Sequence, residues 1–242
     1  MLGAALMYIS FSGYAATSDC NSQKIIDHLW PATKSGEASG IPVAAENVIC
    51  RVWPGNSERT LAAVLAKSST PHQQSYPEIL LLVLDTKTLD IEQQLKLPGE
   101  SITSIKALAF DTDSYAVNQQ HPPFGLRIQK SSHPLKEILS LYVVEHQKLR
   151  PILNGIAITE VQFDKKVEQT CQDGHYRNYH RRLFVKPTTS PTYADILVTE
   201  MTTFYQVEKA PDNTCALAAT APAFTYTLHY NNGQYTLPPE LQ

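Results

Sequence analysis

The sequence predicts a mainly β protein: antiparallel sheets in repeats of about 55–60 residues, with a short helix near the N-terminus. Three observations point there. Apolar stretches of strand length recur along the chain and end in polar turns. The composition carries 16 Pro and 12 Tyr but only 18% charged residues, a balance commoner in extracellular β proteins than in helical cytosolic ones. Near the C-terminus, Phe224-Thr225-Tyr226-Thr227-Leu228-His229-Tyr230 alternates large and small residues and then meets an Asn-Asn-Gly-Gln turn. A sandwich of two sheets is the alternative architecture.

Residues 1–15 read as a signal peptide. They are uncharged and mostly apolar, and they place small residues, Gly13 and Ala15, at the −3 and −1 positions of a cut after Ala15. The basic residues that usually open a leader are missing, the first Lys being Lys24. Cys20 follows Thr17-Ser18-Asp19, which is not a lipid-attachment pattern. The apolar run falls short of the roughly 20 residues of a membrane span, and no later segment comes near that length. The expectation is a periplasmic or secreted protein with no transmembrane segment once the leader is removed.

Residues 16–45 are expected to hold a short helix and a linker, and residues 46–242 a single all-β domain. In the first stretch, Ser22 reads as an N-cap, and Ile25, Ile26 and Leu29 share one helical face before Pro31. Ser35-Gly36-Glu37-Ala38-Ser39-Gly40 reads as a flexible connector. Asn47–Trp53 reads as a strand, Pro54-Gly55-Asn56 as a turn and Leu61–Ala66 as the next strand.

Three later segments look alike. Ile79–Asp85 leads through Thr86-Lys87-Thr88 to Leu89, and Leu139–Glu145 leads through His146-Gln147-Lys148 to Leu149. Asp85 thus aligns with Glu145 at a spacing of about 60 residues, near the length of one four-stranded propeller blade. Ala194–Glu200 is a looser third copy. At the C-terminal end, Phe224, Tyr226, Leu228 and Tyr230 should share a buried face. Asn-Gly tolerates the positive φ angles of a hairpin turn, and Pro238-Pro239 ends the return strand.

The Leu-Leu-Val-Leu-Asp at 81–85, the Asp-Ile-Leu-Val at 195–198 and their spacing resemble FG-GAP or integrin-type propeller repeats, and uncharacterised exported β proteins of Gram-negative bacteria that carry such strands. The resemblance covers about residues 45–240 and implies a propeller-like fold. The calcium loop of those repeats is absent: Asp111-Thr112-Asp113-Ser114 lacks the third Asp and the Gly, so calcium is not expected.

Net charge is −3, which offers no attraction for nucleic acid. Four cysteines in an oxidising compartment point to two disulfides, with Cys20–Cys50 and Cys171–Cys215 as the pairing that keeps each bridge within its half of the chain. Cys171, His175 and His180 have a spacing reminiscent of zinc ligands. In an extended strand, however, His175 and His180 would point to opposite faces, so no metal is expected.

No nucleophile elbow, phosphate-binding glycine loop or His-Glu-x-x-His motif is present, and no cofactor or catalytic residue is assigned. Asp111 with Asp113, and Glu160 with Asp164, could make a hydrolase carboxylate pair only if the fold brought them together. Candidate partner-binding residues are Arg177, Tyr179, His180, Arg181 and Arg182, a basic cluster suited to an anionic partner, together with Trp53. Tyr176, Tyr193 and Tyr205 are further aromatics for such a surface, or for a β core. The expected function is a non-enzymatic binding protein, an inhibitor, immunity-type protein or envelope-maintenance factor. Its partner would be a periplasmic protein or an envelope glycan. A glycan or peptidoglycan hydrolase and a carbohydrate-binding module are the alternatives.

Overall fold

The computed structural model describes residues 20–30, 48–66, 78–97, 105–111, 113, 115, 117–118, 120–130, 135–161, 174–186, 193–209, 215–220 and 222–242. The fold is mainly β, with antiparallel sheets and one N-terminal helix. The signal peptide expected at 1–15, the connector expected at 35–40, Pro31, Cys171 and Asp164 lie outside the described residues.

Helix α1 (Ser22–Leu29) is capped by Asn21, whose side chain accepts from the Lys24 amide at 3.1 Å. The cap is therefore one residue earlier than the sequence pattern indicates. Ser22 is already inside the helix, and its hydroxyl donates to the Val48 carbonyl at 2.9 Å. Ile25 and Ile26 are buried, each worth about 1.5–3 kcal/mol in apolar transfer. The Cys20–Cys50 disulfide ties this helix to the first strand, with Cα atoms 5.9 Å apart.

Four strands form a consecutive meander: β1 (Val48–Trp53), β2 (Asn56–Ala66), β3 (Glu78–Asp85) and β4 (Ile91–Leu97). One face packs on α1 through Val48, Ala62, Val64, Leu82 and Leu84. The alternate residues Leu61, Ala63, Ile79, Leu81 and Val83 enter a second cluster on the other face. Strict alternation explains why β2 and β3 read as continuous apolar runs: both faces are covered.

The second sheet holds β5 (Ile105–Phe110), β6 (Phe124–Lys130), β7 (Leu135–Glu145), β8 (Lys148–Val161), β9 (Gly174–Val185), β10 (Ile196–Lys209), β11 (Cys215–Thr220) and β12 (Ala223–Leu228). Strands β5 to β10 follow chain order. The far side of β10 pairs with β12 along Ile196–Met201 and with β11 along Phe204–Lys209. Phe124, Leu126, Tyr142 and Leu149 meet the first sheet, and Trp53 and Phe124 pack edge-on with ring centres 5.2 Å apart. The opposite face of β7 and β8 forms a third cluster with Tyr193, Ile196, Val198, Leu228, Tyr235 and Leu241.

The helix and sheets thus stack in layers that share apolar clusters, an arrangement compatible with the sandwich alternative. Among the described residues the sheets stay open and do not close into a propeller. The first two similar segments do form equivalent hairpins, β3–β4 and β7–β8. The third does not turn after Glu200, because β10 runs on to Lys209.

Asn232 and Gly233 both have positive φ, 50° and 87°, as the Asn-Gly turn requires. This turn joins only the short strands β13 (Tyr230–Asn231) and β14 (Gln234–Tyr235). Phe224 is exposed rather than buried, while Leu228 is fully buried. β12 enters the core only toward its C-terminal end. A 3₁₀ turn at Pro239–Leu241 closes the chain and buries Leu241.

Candidate functional site

Strand β9 is the organising element. Its ladder with β10 runs from Val185 to Gly174, but its ladder with β8 covers only Asn178–His180 against Thr159–Val161. Beyond His180 the two strands part. The Arg181 guanidinium spans the gap and donates to the Ala157 carbonyl at 2.9 Å. The edge of β9 facing β8 is therefore open from Arg181 to Val185.

A cavity of about 400 Å³ lies at this parting. His180, Arg181, Arg182, Leu183 and Phe184 line one side, so residues of both faces of β9 reach it across the open edge. The other side is made by Arg127 of β6, Leu139 of β7 and Ile158 of β8, with Asp113 and Tyr115 from the β5–β6 connection.

Two of its three arginines are already engaged. Arg181 is buried and paired with Glu200, Nε to Oε2 2.6 Å, and sits over the Tyr179 ring at 4.0 Å. Tyr179 in turn donates to Glu160, and Lys136 approaches the same carboxylate at 3.6 Å. A row of polar side chains thus crosses β7, β8, β9 and β10. Arg127 pairs with Asp111 at 2.9 Å and Glu137 at 3.5 Å. Burial works against its charge, but the Asp111 hydrogen bond and the two carboxylates hold its pKa above the ordinary value. Its Nε is buried with no hydrogen-bond partner among the described residues.

Arg182 differs, whereas the His180 ring shares a hydrogen bond with the Thr159 hydroxyl at 3.3 Å. Both are exposed, and Arg182 has no ion pair among the described residues. Arg182 stands opposite Thr199, and His180 stands opposite Met201. Phe184 (49% exposed) and Met201 (63%) extend this face with apolar surface.

Asp111 ends β5 and is a structural hub. Its carboxylate accepts from Arg127, from the Tyr115 hydroxyl at 2.6 Å and from the Asp113 amide at 3.2 Å. Its carbonyl accepts from Arg51 at 3.1 Å. Burial, then the Asp111 hydrogen bond, push the Tyr115 hydroxyl far above its ordinary pKa, so it stays a donor. Asp113 is exposed at the cavity edge.

Asp113 and Tyr115 also wall a second pocket of about 130 Å³. Its other walls include Trp53, Phe110, Phe124 and two prolines, Pro122 and Pro123, with Arg51 at one side. Trp53 is buried, and its indole nitrogen has no hydrogen-bond partner among the described residues. A Cβ on Gly55 would lie 2.6 Å from Pro122 Cγ, so only glycine lets this turn close against the wall.

Of the candidates taken from the sequence, His180, Arg181 and Arg182 come together at the cavity, with Tyr179 beneath Arg181. Tyr179, Arg181, Trp53 and Tyr193 are interior rather than surface residues. The side chains of Arg177, Tyr176 and Tyr205 lie outside the described residues, as does the Cys171–Cys215 pairing. β9 runs unbroken through positions 175 and 180, the extended geometry that argues against convergence of those histidines.

Phe184, Tyr115 and Arg127 escape sequence reasoning, and Asp113 enters it only as a carboxylate candidate beside Asp111, because the strand pairings that gather them are long-range. For Phe184 a signal existed: alternation from His180 places it with Arg182. No family model matches the chain, and neither a curated protein nor a solved structure does.

Proposed function

We propose that this chain is an exported, non-enzymatic binding protein that holds a protein partner at the parting of β8 and β9. The observation that carries this reading is Arg182, without an ion pair among the described residues, on the rim of the roughly 400 Å³ cavity, flanked by His180 and the exposed Phe184 and Met201. Charge beside exposed aromatic and thioether surface is the composition of recognition surfaces. The rim is expected to meet an acidic, partly apolar patch.

The chemistry around the cavity supports binding over hydrolysis. Asp111, Glu160 and Glu200, the buried carboxylates, are each committed to a cation or hydroxyl partner. A hydrolase needs two carboxylates facing one substrate. Tyr179 and Tyr193 are buried, so their rings offer a glycan no face to stack on. The Cys20–Cys50 disulfide fits an oxidising compartment, as does the leader-like stretch. Among the described residues, no helix is long and apolar enough to cross a membrane.

The test is capture from a periplasmic extract with the wild-type chain and with Arg182→Glu. A partner retained in equal amounts by wild type and lost by the variant, at unchanged melting temperature, is the expected result. Retention by both variants, or turnover of peptidoglycan by the purified chain, would overturn it. Mass spectrometry of the exported chain should find residues 1–15 removed; an intact Met1 would withdraw the compartment.

A further inference from the structure

We infer that the partner is held as an extended peptide segment, with an acidic residue beside Arg182 in the larger cavity and one small apolar residue in the pocket at Trp53. This rests on the binding reading above.

The two hollows share the walls Asp113 and Tyr115, so they lie on either side of one short stretch of chain. Their linings differ in kind. The larger is polar and basic at its rim. The smaller has Trp53, Phe110, Phe124 and prolines for its apolar walls, beside Arg51 and Asp111, and about 130 Å³ is the room of roughly four water molecules, enough for one aliphatic side chain.

The groups left without partners define the ligand's polarity. Among the described residues, Arg182 has no ion pair at one end, and Trp53 Nε1 is a buried donor without an acceptor at the other. Asp113 stands between them as an exposed acceptor. A ligand that satisfies all three must offer acceptor, donor and acceptor in sequence along its length. A peptide backbone with one carboxylate side chain does so, because every residue brings a carbonyl and an N–H. An alkyl carboxylate offers only its head group. Aromatic-lined grooves are also where extended peptides dock elsewhere.

The experiment uses the full chain carrying Trp30→Phe, so that Trp53 alone reports by fluorescence. The probes are acetylated tripeptides pairing Glu and Leu in both orders, their Gln and Ala counterparts, and octanoate. A saturable change in Trp53 emission with a Glu–Leu peptide is expected, weakened about three- to tenfold by the Gln or Ala replacement. The same peptide should compete with the captured partner. Trp53→Phe keeps a ring but removes the donor; it should weaken binding by a similar factor in calorimetry, measured well below a melting temperature that the smaller core ring lowers. Equal response to octanoate would overturn the peptide assignment. Undiminished affinity in Trp53→Phe would remove the second pocket from the site. Silence of every peptide, with partner capture still dependent on Arg182, would overturn this inference and leave the binding reading standing. Loss of both would remove both.

Discussion

Arg181 and Glu200 stand opposite each other on β9 and β10 and close a buried ion pair, Nε to Oε2 2.6 Å, at the point where β9 leaves β8. The guanidinium also donates to two backbone carbonyls, Ala157 at 2.9 Å and Glu240 at 3.3 Å. It ties three parts of the chain together where the strand ladder is missing.

Removing one partner should therefore cost far more than removing both. Arg181→Met leaves a buried carboxylate uncompensated and should destabilise by about 3–5 kcal/mol. The double variant Arg181→Met with Glu200→Leu should recover much of that loss. Urea unfolding of the three variants measures it; additive losses would show that the pair is not coupled.

Stability should fall at acid pH partly through Glu145. Its hydrogen bond with Arg150, helped by the guanidinium charge, holds its pKa below the ordinary value of 4.5. A depressed folded pKa stabilises above the unfolded value and is lost as pH falls through the folded one. Glu145→Gln should flatten the stability curve below about pH 4.5 and leave its slope near neutral pH unchanged. Denaturant midpoints measured from pH 3 to 7 (about one unit apart) would reveal it; an unchanged acid slope would rule the pair out.

Gly233→Val should weaken the closing hairpin. Gly233 has φ of 87°, a conformation that costs a residue with a Cβ about 1–2 kcal/mol. The effect should reach further than the turn, because the Gly233 carbonyl accepts from Arg150 at 2.6 Å. An unchanged melting temperature would refute it.

Reducing the Cys20–Cys50 bridge should loosen α1 from the first sheet. A separation of 30 residues corresponds to about 3.5 kcal/mol of loop-closure entropy in the unfolded chain. Hydrogen exchange should rise in Ser22–Leu29 before it rises in β2 and β3, whose ladders do not depend on the bridge.

Much of the local structure was legible in the residues themselves. Val48–Trp53, Ile79–Asp85 and Leu139–Glu145 announce strands through apolar and β-branched content. Asn232-Gly233 announces its turn through the φ angles those residues tolerate. Cys20 and Cys50 were pairable from the expected compartment and from spacing. These are properties of a few neighbouring residues, and local sterics and burial are enough to decide them.

What joins distant segments was decided only in three dimensions. The similar hairpins β3–β4 and β7–β8 could belong to separate blades or to layered sheets. The answer depends on which strand follows which edge, and hydrophobic periodicity is blind to that. The same holds for the site. Glu160, Tyr179, Arg181 and Glu200 look like scattered polar residues until register sets them side by side. Arg182, one residue from a buried arginine, stays exposed because a β-strand sends neighbouring side chains to opposite faces and only the fold determines which face is covered.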